Sequence, residues 1–306
     1  MADGFLNLYK PSGWTSHDCV AKLRRLLKTK KIGHAGTLDP AATGVLPMAI
    51  GRATRLLQYL PSDKAYRAVV QLGTTTDTDD LEGAIVAQTS AAHLTRDNVV
   101  AQLGNFQGDI EQIPPLYSAI HVNGQRLYDL ARRGAADVDA IAPRRVRVHR
   151  IDVVDWQPGA APTLTLDIAC GAGTYIRSIA RDLGQRLGVG GTLAELLRTQ
   201  SSGFTLDTSV SFEMLETAET AETAAKPPLE LITPAVAMAH LPPMVLTAEA
   251  AHRWCLGQRL AMTPTQGWEE PLRVLTATCP FLGIGVFRLR EEQPYLAPKM
   301  VFERPN

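Results

Sequence analysis

The chain has 306 residues, 45% of them hydrophobic and 20% charged, and its 31 basic side chains equal its 31 acidic ones in number. This length can bury a sizeable core and predicts two domains. No apolar run approaches the roughly 18 residues of a membrane span, and the first residues lack the charged-then-apolar layout of a signal peptide. The composition therefore excludes an integral helical membrane protein and predicts a cytoplasmic one.

The four cysteines are widely spaced, without a CxxC pair or a histidine-rich ligand pattern. They are Cys19, Cys170, Cys255 and Cys279. This arrangement predicts neither a zinc site nor a disulfide framework, so we expect reduced, structural thiols. The pattern GxxxxGK[ST] does not occur, which excludes a P-loop nucleotidase.

The neutral total charge hides two basic segments. Residues 1–60 carry nine Lys or Arg against three acids, and the stretch from Arg126 to Arg150 carries seven arginines against three aspartates. Because salt screens charges beyond about 8–10 Å, a local excess can bind phosphates whatever the total charge. Any single cation has the simpler interpretation of a solvated helix face, but two clusters favour a nucleic-acid partner.

The first predicted elements lead into an unusual loop. Phe5–Tyr9 has the pattern of a short strand, and residues 10–13 form a predicted turn. A helix then begins with Ser16 as its N-cap, and Gly33 ends it. The apolar positions of this helix at helical spacing are Val20, Leu23 and Leu27.

The loop at 33–47, GHAGTLDPAATGVLP, suspends one carboxylate between glycines and prolines. Pro40 biases Asp39 toward extended backbone, and the glycines permit backbone angles that are closed to other residues. Such a loop can present a reactive side chain, so Asp39 is the candidate catalytic group. The alternative is a surface loop in which Asp39 only makes a side-chain-to-backbone turn.

The following segments mix strands and helices without regular βαβ alternation. Strands are predicted at Leu46–Ile50, Ala65–Leu72, Tyr117–Val122, Val146–Trp156 and Thr163–Cys170, helices at Ala53–Leu60, Arg126–Arg132 and Thr174–Gly188, an acidic turn at Asp77, Asp79, Asp80 and Glu82, and a second turn at Asn123 and Gly124. This order favours an α+β fold with a mixed, largely antiparallel sheet.

The helix at Thr174–Gly188 carries a candidate site residue. Thr174 is its expected N-cap, and its apolar residues form one stripe. Arg177 stands in the first turn, where the helix dipole already supplies positive potential. The position invites a carboxylate partner, and the alternative is an arginine that reaches into solvent.

The composition changes after Arg198. Residues 216–224 repeat an acidic three-residue unit of low complexity, and several prolines follow. Short strands are then predicted near Leu272–Thr276, Gly283–Leu289 and Leu296–Val301. They indicate a small β-rich second domain at 236–306.

Four strings in order carry a resemblance to a known family: FLNLYKPSGWTSHD, GHAGTLDPAATGVLP, DKAYRAVVQLGTTTDTDD and GTYIRSIARDLG. Between about Gly4 and about Arg198 the chain resembles the TruB-type tRNA pseudouridine synthases. The resemblance implies a pseudouridine synthase catalytic domain at 1–235, with a thumb-like RNA-binding insertion at about 113–150. It also implies a PUA-like RNA-binding domain at 236–306.

The activity implied by the resemblance is the isomerisation of uridine 55 in the T arm of tRNA to pseudouridine. The enzyme would flip the nucleotide out of the RNA, cleave its N-glycosidic bond and rejoin C5 of the base to C1′. The reaction needs no cofactor and no metal. We expect a monomer without a protein partner.

The resemblance also implies roles for individual residues. Asp39 would be the essential catalyst, Tyr66 would stack on the target base, and Arg177 would pair with Asp39. The remaining aligned positions are Tyr175 and Leu196 in the pocket wall, His34 in the space that the extruded nucleotide leaves, and Lys10 and Asp80 as supports of the loop and pocket. The family usually has basic residues after the Leu196 equivalent, whereas Leu197 precedes Arg198 here, so we expect one phosphate contact fewer.

Three alternatives stay open at the level of sequence. A related synthase would act on rRNA or with a guide RNA, although such proteins usually carry basic extensions. A noncatalytic tRNA-binding chaperone would not require Asp39, Tyr66 and Arg177 together. A hydrolase of glycosidic bonds would need a second, acid-poised carboxylate, for which Asp80 is the candidate.

Overall fold

A computed structural model of the chain describes residues 3–118, 120–122, 125–133, 141–220 and 230–303. Its elements are β1 (Gly4–Lys10), α1 (Ser16–Leu26), β2 (Ile32–His34), β3 (Thr43–Ile50), β4 (Lys64–Leu72), β5 (Thr74–Thr76), β6 (Ile85–Gln88), α2 (Arg96–Leu103), β7 (Gly108–Gln112), β8 (His121–Val122), β9 (Gln125–Arg126), α3 (Leu127–Arg132), β10 (Arg144–Gln157), β11 (Thr163–Cys170), α4 (Ile176–Arg186), β12 (Gly191–Ser201), β13 (Phe204–Thr205), α5 (Phe212–Thr220), α6 (Pro234–Ala237), β14 (Pro243–Val245), α7 (Ala248–Cys255), β15 (Leu260–Ala261), β16 (Leu272–Leu275), β17 (Gly283–Arg290) and β18 (Gln293–Val301). Short 3₁₀ helices occur at Gly51–Tyr59, Gly104–Phe106 and Leu206–Thr208.

A nine-stranded sheet organises the N-terminal two thirds of the chain. Its main path is β1-β3-β12-β4-β11-β10-β7, with β2 added to β3 and β13 to β12. Among the described strands of this sheet every pair is antiparallel except β3 with β12. A second, five-stranded sheet has the order β14-β16-β17-β18-β15. The predicted α+β class with a largely antiparallel sheet is therefore confirmed, as is a β-rich C-terminal region.

The parallel contact between β3 and β12, the sole one among those pairs, is only two residue pairs long, and a cleft lies beyond its end. Leu197 pairs with Thr43 and Arg198 with Gly44. The residues that precede them in β12, 193–196, pair with β4 but not with the loop before β3, and they line a common cavity with Asp39, Ala41 and Ala42. The sheet thus divides at the loop that carries Asp39.

Apolar side chains explain how the two sheets are joined. Phe5 and Val45 of the large sheet share one buried cluster with Phe281, Ile284 and Phe302 from the C-terminal region. A separate cluster on the other part of the large sheet packs α4 against β4 and β11. Fully burying one large apolar side chain contributes about 1.5–3 kcal/mol, so the shared cluster holds the small sheet against the large one.

Helix α1 differs from its prediction at both ends. Its N-cap is Thr15, because Asp18 lies three residues later and the two residues form a reciprocal capping box. Ser16 is buried instead, and its hydroxyl bonds to the backbone of Leu38. The helix ends at Leu26, and Gly33 lies inside β2. The N-cap at Ser16 and the helix end at Gly33 are therefore wrong.

Helix α4 begins at Ile176 with Tyr175 as its N-cap, so the prediction of Thr174 is wrong. The hydroxyl of Thr174 donates to the carbonyl of Gly171 at 3.1 Å, which stabilises the preceding turn instead. The helix ends at Arg186, and Gly188 follows in the left-handed conformation (φ +72°), as is common just beyond a helix end.

Several other boundaries also moved. The helix predicted at Ala53–Leu60 is the 3₁₀ helix Gly51–Tyr59, and within Tyr117–Val122 the described strand is only His121–Val122. The turn predicted at residues 123 and 124, and residues 221–224 of the acidic repeat, lie outside the described residues. The domain limits 1–235 and 236–306 stay a prediction.

All four cysteines lie in the described part of the chain and are thiols that form no disulfide, as expected. Within the described part of the chain, no helix is long and apolar enough to cross a membrane.

Candidate active site

The loop between β2 and β3 holds Asp39 and is anchored from below by Lys10. The fully buried ammonium of Lys10 donates to the carbonyl oxygens of Pro11 (2.9 Å), Trp14 (2.6 Å) and Pro40 (3.0 Å). Three donors are available only to the protonated amine, so Lys10 is a buried cation even though burial lowers its pKa. This contact fits the loop-supporting role that the resemblance implies for Lys10.

Arg198 anchors the same loop from β12. Its guanidinium donates to the carbonyl oxygens of Val45 (2.7 Å), Gly36 (3.0 Å) and Thr37 (3.3 Å), and none of its surface is exposed. Burial lowers the pKa of Arg198. Because Arg198 binds backbone inside the protein, this side chain is unavailable to phosphates. Its role was missed at the level of sequence.

A close backbone approach lets Arg198 reach the loop. Gly44 has φ +103°, and a Cβ atom at this position would collide with the carbonyl oxygen of Arg198. A glycine is therefore required where β3 passes β12. This requirement explains one glycine of the loop motif in terms of packing.

The carboxylate of Asp39 forms an ion pair with Arg177. Their closest oxygen and nitrogen are 2.9 Å apart, and the side chain of Asp39 is 44% exposed while that of Arg177 is 7% exposed. Arg177 also pairs with Asp80 at 3.3 Å and donates to the carbonyls of Thr78 (3.1 Å) and Tyr117 (3.0 Å). The carboxylate partner that the helix position invites is present, and the solvent-facing alternative for Arg177 is wrong.

Asp80 is fully occupied as an acceptor. One oxygen faces Arg177, and the other accepts from the Thr78 hydroxyl at 2.6 Å and from the backbone N–H of Glu82 at 3.2 Å. These contacts engage both oxygens of Asp80 within the protein, so Asp80 supports Arg177.

A cavity of about 200 Å³ lies on one side of Asp39. Its lining includes Tyr66, Tyr175, Arg177 and Leu196, so the structure brings together five of the predicted site residues. Burial raises the pKa of Tyr66 to about 12, and the Arg198 guanidinium lies beside its hydroxyl. Tyr66 is thus neutral at physiological pH and presents an aromatic wall.

The backbone of Tyr175 is fixed by Gln112 at the edge strand β7. The amide of Gln112 accepts from the Tyr175 N–H at 3.0 Å and donates to the Tyr175 carbonyl at 3.1 Å. The start of α4 is thereby tied to the sheet. Gln112 was also missed, because its partner is 63 residues away in the chain.

A second cavity, of about 420 Å³, lies on the other side of Asp39, in the gap between β3 and β12. It shares Asp39, Arg177 and Leu196 with the smaller cavity and adds Asp80 and Arg67. A cavity of about 500 Å³ beside β1 contains none of the predicted site residues, so size alone does not locate the site. Because the two cavities share lining residues at Asp39, they can together accommodate an extended ligand.

His34 does not line either of the cavities that meet at Asp39. It faces His17 edge-on, with ring centroids 5.9 Å apart. Burial lowers the pKa of His34, and its buried Nδ1 atom has no hydrogen-bond partner among the described residues. The structure thus places this residue beside the loop but outside the pocket.

The two basic segments differ in how their charges are used. In the first, Lys22 pairs with Glu216 and Arg52 with Asp3, so these cations are structural. Exposed cations of the same segment include Arg25, Lys28, Lys30, Lys31 and Arg55. In the second, Arg144 and Arg145 are exposed on β10. Arg144 is close enough to Tyr175 for its positive charge to interact with the Tyr175 hydroxyl. Part of each segment is thus available to phosphates.

No group of three or more His, Cys, Asp or Glu side chains suited to a metal ion occurs within the described ranges.

Family models match nearly the whole chain. Residues 24–176 match the model described as TruB family pseudouridylate synthase (N terminal domain). Residues 177–250 match the tRNA pseudouridylate synthase B C-terminal domain, and residues 242–302 match Pseudouridine synthase II TruB, C-terminal.

Curated relatives are similar over their full length. A protein of Microcystis aeruginosa is 50% identical over 98% of this chain and 99% of its own length. One from Trichormus variabilis is 52% identical over 98% of both chains, and one from Gloeobacter violaceus is 55% identical over 84% and 86%. Each is named tRNA pseudouridine synthase B.

Two solved structures share the fold. The crystal structure of a Cbf5-Nop10-Gar1 complex contains a chain with a TM-score of 0.75 and 25% identity, covering 98% of this chain and 85% of that one. A structure of an H/ACA RNP bound to a substrate RNA containing 2′-deoxyuridine gives a TM-score of 0.73 at 24% identity, with 98% and 85% covered.

Proposed function

Because the chain belongs to the TruB family of pseudouridylate synthases, we propose that it converts uridine 55 in the T arm of tRNA to pseudouridine, with Asp39 as the catalytic group. The curated relatives are named as tRNA enzymes. The choice of uridine 55 as the target nucleotide rests on the family resemblance. As the sequence predicts, the enzyme would act in the cytoplasm as a monomer, without a protein partner.

One observation carries the proposal. The carboxylate of Asp39 is half-open to a cavity of about 200 Å³ while a buried arginine holds it in place. A group that must attack or deprotonate a substrate needs exactly this combination of fixed position and access, since misplacement by about 1 Å can cost about 100-fold in rate.

The reaction is an isomerisation, and the site contains what it requires. The bond between N1 and C1′ breaks, the free base turns within the pocket, and a bond between C5 and C1′ forms as C5 loses its proton. Asp39 supplies an electron pair at the sugar, either to a carbon atom or to a proton. A closed pocket must retain the loose base throughout, because escape would leave an abasic site in the RNA.

The substrate base must leave its stack to reach Asp39. Flipping a nucleotide costs a few kcal/mol, and stacking on an aromatic side chain returns about 1–3 kcal/mol. Tyr66 and Tyr175 supply aromatic surface in the smaller cavity, and Leu196 supplies an apolar wall. We assign the flipped uracil to this cavity and its neighbouring nucleotide to the larger one.

Phosphate contacts complete the proposed complex. Arg144 and Arg145 are exposed cations on β10, within the predicted RNA-binding insertion, and Arg144 is close to Tyr175 at the pocket. Each phosphate that such a cation neutralises makes binding more dependent on salt. The T arm would lie across this strand and the Asp39 loop.

The hydrolase alternative is disfavoured by Asp80. A glycosidase of that kind needs a second carboxyl group free to act on the substrate, whereas one oxygen of Asp80 accepts two hydrogen bonds and the other pairs with Arg177. The chaperone alternative makes a different prediction, namely binding without product.

Mapping the product position tests the proposal. An unmodified tRNA transcript incubated with the protein and then treated with a carbodiimide should carry one alkali-resistant adduct, which stops reverse transcriptase beside position 55. A transcript with cytidine at position 55 is the matched control and should give no stop. Product at another uridine, or no product, would overturn the assignment.

A further inference from the structure

Lys64 is an unassigned cation in the smaller cavity. It lies at the start of β4, two residues before Tyr66 and on the same face of the strand. It lines the cavity together with Tyr66 and Asp39. Its Nζ atom lies 3.6 Å from the position that a Cβ atom on Gly36 would occupy, so the ammonium sits against the catalytic loop.

The ammonium of Lys64 lacks a partner among the described residues. No hydrogen bond or ion pair joins it to another side chain or carbonyl there, in contrast to Lys10, which has three. The nearby Asp39 carboxylate bonds to Arg177 instead. Burial and the neighbouring Arg198 lower the pKa of Lys64. A partly desolvated, unpaired charge lowers the stability of the free protein, so its presence calls for a ligand.

The charges around the cavity show what kind of ligand is favoured. Charged groups line the cavity, hold its loop or pair with a residue that lines it. The cations are Lys10, Lys64, Arg177 and Arg198, and the carboxylates are Asp39 and Asp80. Cations therefore exceed carboxylates by two. The pocket is electrostatically complementary to an anion that forms inside it.

The proposed reaction produces such an anion. When the bond between N1 and C1′ breaks, its electron pair stays with the uracil, and the charge spreads over N1 and the two carbonyl oxygens. The charge disappears when C5 bonds to C1′, C5 gives up its proton and N1 takes one up. Electrons and protons balance without an oxidant or a reductant.

We propose that Lys64 donates a hydrogen bond to a carbonyl oxygen of the departing uracil and stabilises its negative charge during bond cleavage. This inference rests on the proposed function. The small cavity with its aromatic walls fits a flat base, whereas the phosphates of a flipped nucleotide would stay outside it, where the exposed Arg144 lies near Tyr175. Lys64 is thus assigned to the base.

The variant Lys64→Met tests this assignment, with Arg96→Met as the control, since Arg96 is exposed on α2, lies outside both basic segments and lines neither cavity that meets at Asp39. At saturating enzyme, Lys64→Met should lower the single-turnover rate constant by about 100-fold or more, the usual cost of one oxyanion donor. The Kd for tRNA should change by less than about twofold, because the interaction forms only in the transition state. Arg96→Met should leave the rate unchanged.

Two further measurements separate this role from others. The thermal midpoint of Lys64→Met should equal or exceed that of the wild type, since a partly buried charge without a partner among the described residues has been removed; a lower midpoint would indicate a structural role. With 5-fluorouridine at the target position, the fluorine stabilises the departing anion, so the rate penalty of Lys64→Met should shrink at least tenfold. Equal penalties on the two bases would overturn the proposal.

If Lys64→Met instead raises the Kd for tRNA and reduces the salt dependence of binding but leaves the rate unchanged, Lys64 contacts a phosphate. That result would overturn the assignment of Lys64 to the base and leave the proposed function intact. Absence of product with the wild type would overturn the proposed function as well. The two failures are thereby distinguishable.

Discussion

Asp39 and Arg177 form an asymmetric ion pair, with 2.9 Å between the closest carboxylate oxygen and guanidinium nitrogen. The arginine is buried, whereas the carboxylate stays open to the cavity. Arg177 is fixed by four acceptors that include two backbone carbonyls. It therefore cannot follow the carboxylate if Asp39 moves or reacts. The pair orients Asp39 without closing it off from substrate.

Arg177→Ala should lower both stability and rate. Removal of one partner from a buried pair costs about 3–5 kcal/mol, and we expect the low end because Asp39 keeps access to water. Urea unfolding and single-turnover kinetics measure the two effects. If the unfolding free energy and the rate both match the wild type, the ion pair has no such role.

Arg198→Met should destabilise the Asp39 loop. Three carbonyls lose a buried donor, and each buried acceptor left unsatisfied costs about 1–3 kcal/mol. We expect an unfolding free energy lower by at least about 2 kcal/mol, a slower reaction and nearly unchanged tRNA affinity. Arg96→Met, at an exposed position outside both basic segments, is the control. A selective loss of tRNA affinity would show that Arg198 binds phosphate after all.

Gly44→Ala should be strongly destabilising, because the new Cβ meets the Arg198 backbone and φ is +103°. Gly104→Ala provides the comparison, since its φ is −58° and nothing lies within 4 Å of the added atom. There the substitution should be neutral or stabilise by about 0.4–1 kcal/mol through the unfolded state. Thermal unfolding of both variants tests the close approach of β3 and β12, and equal midpoints would contradict it.

Tyr66→Phe should flatten the loss of stability at alkaline pH. The folded pKa of Tyr66 is about 12 against an ordinary value of 10.0. Between these values Tyr66 loses its proton in the unfolded chain and retains it in the folded protein. The contribution of neutral Tyr66 to the free energy of unfolding is therefore present below pH 10 and is lost as the pH rises toward 12.

Urea unfolding at pH 9 and pH 11 measures this effect. The wild type should lose about 1 kcal/mol more than Tyr66→Phe between these two pH values. Cys19 and Cys170, whose pKa values burial raises to about 11, are present in both proteins. Their effect therefore cancels in the comparison. Parallel losses of stability would show that Tyr66 titrates normally.

The sequence was sufficient where local chemistry decides the structure. The glycines and the proline around Asp39 restrict the backbone wherever the loop lies, and the dipole of α4 disfavours an unpaired Arg177. A presented carboxylate and a carboxylate partner for Arg177 were therefore predictable, while the choice of Asp39 as that partner came from the family resemblance. The α+β class was predictable from the order of strands and helices. Strand patterns such as Thr163–Cys170 were also reliable, because their alternation records which face is buried.

Other features depend on contacts between distant segments. No role was predicted for Arg198 from the sequence, and only the meeting of β12 with β3 shows that it is buried under the loop. Ser16 was a plausible N-cap by residue type, but its hydroxyl is taken by Leu38 from the loop, and Thr15 caps the helix instead. A sequence pattern cannot rank two adjacent candidates when tertiary contacts decide between them.

The most direct test of the central claim is tritium release from unmodified tRNA labelled at C5 of uridine, comparing the wild type with Asp39→Asn. C5 loses its hydrogen only if a new bond forms there. We predict release by the wild type and none by Asp39→Asn, although the variant should fold and bind tRNA with nearly the same Kd, because the amide is isosteric with the carboxylate. Release by Asp39→Asn at a rate near that of the wild type would contradict the account, as would tight, salt-sensitive tRNA binding by a wild type that releases nothing.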